Sequence, residues 1–447
     1  MSFDLPALPE EWQFLPLEKC AVPASISYGV VQPGTPTNTG VPIIRVNNFS
    51  DGRLDLSDVM RIAPEVESKY TRTRLSGGEV LLTLVGSVGQ VAEVPLNCAG
   101  FNVARAVGVI RPANGLESKW LAICLRSPLS QQLLGSRANT TVQTTINLKD
   151  VRALPVPIPP AAERAQISEM VGTLDDRIAL LRETNATLEA IAQALFKSWF
   201  VDFDPVRAKS QGLAPAGMDE ATAALFPDSF EESALGSVPK GWVVQPVGDA
   251  VECVGGATPD TKDPSYWSPE EHAWTTPKDL SGLPAPVLLS TERRLSTKGL
   301  TKIGSGLLPV GTLLMSSRAP IGYLAIAQVP VAINQGYIAM LPGSLLPPLY
   351  MLFWCQQNME GIKSRANGST FMEISKKAFR PIPALVPSSA VIEAFLAIAS
   401  PLFDRLVANE RAAQTLATLR DTLLPRLISG QLRLPEVAAI DRLAHAS

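Results

Sequence analysis

The chain is poor in the residues on which most enzymes depend. It holds two histidines, His272 and His445, and five cysteines, Cys20, Cys98, Cys124, Cys253 and Cys355, none within a CxxC pair. That spacing excludes a zinc knuckle and argues against a disulfide framework, so a reducing cytoplasm is the expected compartment. A Ser/His triad or a histidine-metal nuclease would have to rest on one of the two histidines. No Gly-Lys dipeptide occurs, which removes a Walker A phosphate loop. The Asn/Asp-Pro-Pro-aromatic tetrad of an amino-methyltransferase is missing, because the double prolines at 159–160 and 347–348 have other neighbours. Pro259-Asp260 with Lys262 lacks the second acid of a metal nuclease, and Gly86 to Gly89 reads as a tight turn. No run of 18 apolar residues exists and the first twenty residues bring acids, so neither a membrane span nor a signal peptide is expected. A basic surplus is absent too, with a net charge of −3.

What the chain does have is a repeat of itself. LPEEW at 8–12 returns as VPKGW at 238–242, and GGEVLLTLVGSVG at 77–89 returns loosely as PVGTLLMSSRAPIG at 309–322. SRANTTVQTTINLKDVRALPVPIP at 136–159 returns as SRANGSTFMEISKKAFRPIPALVP at 364–387, an offset of 228. Charge follows the same division: residues 1–159 carry +1, 160–236 carry −7, 237–387 carry +3 and 388–447 carry none. Short apolar runs bounded by Gly, Pro, Asn and Ser predict strands in two mixed, strand-rich domains.

After each domain comes a long amphipathic segment. Ile167, Val171, Leu174, Ile178, Leu181, Asn185, Leu188, Ala192, Leu195 and Trp199 follow 4,3 spacing. Phe395, Ala399, Leu402, Leu406, Asn409, Ala413, Leu416, Arg420, Leu423 and Leu427 do the same with one charge. Ten heptad positions in each arm predict a coiled-coil pair. The overall class is therefore α+β: domain, helix, domain, helix, closing with approximate twofold symmetry. An antiparallel seam gives facing residues a constant sum. A sum of 594 superimposes all ten positions and sets Ile167 against Leu427, Leu188 against Leu406, Trp199 against Phe395, and Asn185 against Asn409, which either fix the register as a buried pair or reach solvent at a loosened seam.

The tract LEAIAQALFKSWFVDFDPVRAKSQG, continuing through GMDEATAALFPDSFEESALGSVPKGW, closely resembles the central conserved region of type I restriction-modification specificity subunits. The second helix ends in LLPRLISGQL, and the repeat covers the rest of the chain. The resemblance implies a non-catalytic subunit with two target recognition domains, separated by two long antiparallel coiled-coil helices in a pseudo-twofold repeat. Residues 1–159 and 238–387 would be the domains and 160–203 and 388–432 the spacer helices. Residues 204–237 would be an acidic linker and 433–447 a tail. Double-stranded DNA, two methyltransferase subunits and motor-nuclease subunits are the implied partners, with no membrane. This chain would hold no cofactor; S-adenosylmethionine, ATP and Mg would reside on the partners. The alternatives are a specificity subunit for a fused restriction-methylation enzyme and a stand-alone DNA-binding regulator, the latter disfavoured by the lack of a helix-turn-helix signal.

DNA contact needs basic side chains for phosphates and Arg, Asn, Gln or Lys for base edges. The first domain offers Lys69, Arg72 and Arg74 in KYTRTR; the second offers Lys298 and Lys302 at the aligned place. Arg137 with Asn139, and Arg365 with Asn367, recur in both halves, which favours backbone contact or a structural turn over base reading. Arg45, Lys278 and Arg318 complete the candidates. Phe196, Trp199, Phe200 and Phe203 fall on more than one helical face, so they either dock a methyltransferase subunit or pack under the adjacent domain.

Overall fold

The computed structural model describes residues 5–138, 144–368 and 372–434. The chain divides into two compact units, Met1–Arg177 with Thr415–Ser447, and Ile178–Gln414.

In the first unit, Gln13–Pro16 pairs antiparallel with Pro155–Ile158, Gln13 opposite Ile158. Between these ends lies a four-stranded sheet in the order Ser27–Tyr28, Val107–Ile110, Val80–Thr83, Val91–Glu93. The two central strands are buried at every position, which is why VLLT and VGVI read as continuous apolar runs. The period of two still sorts their side chains. Val80 and Leu82 join a core with Trp120 of the helix Ser118–Arg126, whereas Leu81, Val107 and Val109 join another with Ile44 and Val103. That second layer is a three-stranded sheet. Its central strand β1 (Val41–Ile44) runs antiparallel to β2 (Met60–Ile62) and parallel to β3 (Asn102–Val103).

The second unit repeats this plan. Val243–Pro246 pairs with Pro383–Val386. A five-stranded sheet runs in the order Cys253–Val254, Tyr337–Met340, Leu313–Ser316, Leu324–Ala327, Val287–Leu288. Leu313, Met315 and Ile338 share a core with Tyr350 and Phe353, while Leu314, Ala325 and Ala339 share another with Ala273 and Val331. Its small sheet has β4 (His272–Thr275) antiparallel to β5 (Arg293–Leu295) and parallel to β6 (Val331–Ile333). The acidic stretch, expected as a linker, carries helices Asp204–Ser210 and Glu220–Ala224 and the hairpin Phe230–Ser233 with Gly236–Pro239.

Two helices of equal length, α1 (Ala161–Phe200) and α2 (Ser389–Ile428), each span 40 residues, and the offset between them is again 228. Pro401 and Pro425 lie inside α2. Each removes an N–H donor and crowds the preceding turn, at about 3 kcal/mol. The helix continues because Ala399, Leu424, Leu427 and Ile428 are buried around them. In the first unit Ile167 and Val171 share a core with Leu424 and Leu427. There Arg420, the charge in the seam, meets Asp175 at 2.7 Å, and Asp175 also takes Arg126 at 2.8 Å. In the second unit Trp199 meets Phe395 with ring centroids 6.3 Å apart, and Leu188 packs with Leu406. Asn409 Nδ2 donates to Asn185 Oδ1 at 3.0 Å, and Asn185 Nδ2 reaches Glu410 Oε2 at 3.5 Å. Both asparagines are buried.

Candidate nucleic-acid interface

The KYTRTR segment forms a 3-10 helix, Ser68–Thr73, broken at Tyr70. A polar knot beneath it sets which cations are available. Arg74 forks onto Glu67, whose Oε1 also accepts from Asn102 Nδ2 at 3.0 Å. Thr73 donates to Asn102 Oδ1 at 2.7 Å, and Arg111 donates to the carbonyls of Arg72 and Arg74 at 2.9 and 2.8 Å. Hydrogen bonding to Arg74, above all, holds the buried Glu67 carboxyl below its ordinary range. Two of the Arg74 donors thus neutralise a buried acid. Lys69 and Arg72 are left exposed, on a cleft of about 430 Å³ that also takes in Tyr28 and Arg152. Arg152 carries no sequence signal beyond its charge.

In the second unit Lys298 and Lys302 lie over the ring of Tyr266, 5.1 and 5.5 Å from its centroid. Lys298 donates to Ser265 Oγ at 2.7 Å. The short helix Thr297–Leu300 that carries Lys298 is capped by Ser296, and Glu271 accepts from the Thr297 N–H and hydroxyl. Beside it stands Arg293, with its guanidinium 3.5 Å from the Trp267 ring centroid and 5.3 Å from that of Trp274. The Arg-Arg dipeptide five residues before Lys298 was the available signal for this site.

The remaining candidates fall into separate places. Glu373 brings Arg318 and Asn367 together: Arg318 Nη1 lies 3.8 Å from its carboxylate, and Asn367 pairs with it through the backbone. Arg365 is exposed two residues away. In the first unit Arg137 Nη1 reaches the Asp150 carbonyl at 3.5 Å, and Asn139 lies outside the described residues. Arg45 and Lys278 follow β1 and β4, and each faces an acid, Asp58 at 3.6 Å and Glu292 at 2.9 Å.

The aromatic cluster of α1 corrects the docking alternative. Phe196, Trp199 and Phe200 are 1%, 3% and 7% exposed. Phe196 and Phe200 meet Tyr350 at 4.9 and 5.0 Å, and Trp199 meets Phe226 at 5.0 Å. Phe203, in a left-handed conformation, packs on Trp242 and Phe230. These rings are covered by their own unit, so a partner cannot reach the first three.

Where chemistry was conceivable, the side chains make local structural contacts. Asp260 Oδ1 accepts from the Lys262 N–H at 2.9 Å, and His272 Nε2 contacts Thr297 Oγ1 at 3.1 Å. All five cysteines are buried thiols. Among the described residues no helix is long and apolar enough to cross a membrane, and no group of three His, Cys, Asp or Glu is placed to hold a metal ion.

The family model described as type I restriction modification DNA specificity domain matches residues 35–190 and 239–410. The type I restriction enzyme MjaIX specificity subunit of Methanocaldococcus jannaschii is 35% identical over 184 residues, 41% of this chain and 42% of that protein's length. The HindI specificity subunit of Haemophilus influenzae is 27% identical over 338 residues, 66% of this chain and 72% of that one. A type I S subunit from M. genitalium shares the fold with a TM-score of 0.51 at 15% identity, over 95% of this chain and 98% of that one. A family model that matches both halves of an internally repeated chain leaves one conclusion: the protein belongs to the type I restriction-modification DNA specificity family.

Proposed function

We propose that this chain is the DNA sequence-specificity subunit of a type I restriction-modification complex, each unit reading one half of a bipartite site. The observation that carries this is the repeat itself: two copies of one recognition fold, each built against halves of the same two 40-residue helices. Lys69 and Arg72 in the first unit, and Lys298 and Lys302 in the second, supply phosphate contacts, while Arg318, Arg365 and Asn367 form a second contact edge. Arg45, Arg137 and Lys278 are supporting contacts. Asn185 with Asn409 fixes the register of the helices.

Two methyltransferase subunits and motor-nuclease subunits complete the assembly and carry S-adenosylmethionine, ATP and Mg, whereas this chain contributes no cofactor. The complex works in the cytoplasm, in keeping with five unpaired thiols. Sharing the DNA charge with partners accounts for a net charge of −3 on a DNA-binding chain. The test is methylation mapping of the genome with and without the gene. Loss of a single bipartite motif is expected; an unchanged methylome would overturn the assignment.

A further inference from the structure

The small sheets of the two units superpose position by position through their strand register. Ile62, Arg61 and Met60 face Val41, Pro42 and Ile43; Leu295, Arg294 and Arg293 face His272, Ala273 and Trp274. Two of these three positions keep their role. Ile62 and Leu295 are fully buried. Arg61 donates to the carbonyl of Gly40 at 3.0 Å and Arg294 to that of Glu271 at 2.6 Å, in each case the residue just before the central strand. The third position differs, methionine in one unit and arginine in the other. A residue that holds the frame should recur in both halves, whereas a residue that reads a base should differ where the half-sites differ.

Arg293 also has the geometry of a reader. Trp267 is pinned by its Nε1 donating to the Asp260 carbonyl at 3.0 Å and by an edge-on contact with Trp274, centroids 5.1 Å apart. The guanidinium carbon sits over that ring, 3.5 Å from its centroid, a separation that leaves room only for face-on stacking, and among the described residues no acceptor takes any of its N–H groups. A planar fork held by its face keeps its edge donors free and costs little ordering on binding. Resting on the proposal that the second unit reads a half-site, we propose that Arg293 is a specificity-determining residue that donates bidentately to O6 and N7 of one guanine in the major groove. Trp267 acts as its positioning residue.

The test uses the full complex of this chain with its methyltransferase subunits, binding a library of duplexes randomised across both half-sites. Arg293→Met installs the residue the first unit carries there. It should cut the preference for one G·C pair in the second half-site by about 10- to 100-fold and leave every other position unchanged. Arg293→Lys, which keeps the charge without the fork, and Trp267→Leu should relax the same position. Equal weakening on all sequences, with the salt slope lower by about one, would make Arg293 a phosphate contact and overturn the proposal. An unchanged motif and affinity would overturn it as well. The first half-site reports in the same experiment that the complex is folded. Should the unmodified complex select no bipartite site, the specificity assignment itself fails, an outcome separate from the other two.

Discussion

At the scale of single residues, the knot around Glu67 separates two arginines that look alike in KYTRTR. The Glu67 carboxyl is buried and its folded pKa is depressed, chiefly by Arg74. The ionised form therefore stabilises the fold above the ordinary carboxylate pKa of about 4.3, and that contribution is lost as pH falls through the lower folded value. Denaturant melts from pH 7 down to pH 3 should show Glu67→Gln with a flatter acid limb than the parent; parallel limbs would detach Glu67 from acid stability. Arg74→Ala should lower stability at neutral pH by about 1–3 kcal/mol, because it strips a buried acid of its partner. Arg72→Ala should leave the melt unchanged and lower the salt slope of DNA binding by about one. A destabilised Arg72→Ala would reverse these roles. Charge counting marked the cluster but could not rank its members, because two donors from elsewhere, the Asn102 amide on another strand and Arg111 in a distant loop, reach Glu67 and the turn.

At the scale of elements, the helices were legible because period and length act locally. Ten seam positions in 4,3 spacing define two arms, and a sum of 594 sets Asn185 opposite Asn409, where the structure has a 3.0 Å hydrogen bond. Asn185→Leu should cost roughly 1–3 kcal/mol by leaving the Asn409 amide buried without its partner. Changing both to Leu should restore stability, as read by denaturant melts of the single and double variants. A double variant as weak as the single one would show that the amides do not act as a pair. Less legible was what covers the aromatic end of α1. Periodicity showed that Phe196, Trp199 and Phe200 occupy more than one face, but their partners Tyr350, Phe353 and Phe226 come from more than twenty to over a hundred residues away. Pro401 and Pro425 lie inside α2 although local propensity disfavours them there, because tertiary burial overrides it.

At the scale of the whole molecule, each unit has its own sheets and cores, and a reader of one half-site should be exchangeable. Replacing residues 1–155 with the matching region of a relative should change one half of the methylated motif and leave the other. A change in both halves would mean that the units do not read independently. The units differ, however, in how the chain supplies them. The second is one unbroken stretch, Ile178–Gln414, whereas the first takes residues from either side of that stretch. Its core needs Leu424, Leu427 and Ile428, and Glu163 is held by Trp12 at 3.2 Å from one side and by Arg433 at 2.9 Å from the other. On the ribosome, the half that is made first is therefore the half that finishes last. Ile167 and Val171 lack the Leu424 and Leu427 side of their core until the residues beyond 414 have been made. A chain that stopped at residue 414 would leave the ribosome with a completed second unit and a first unit lacking the end of α2 that seals it.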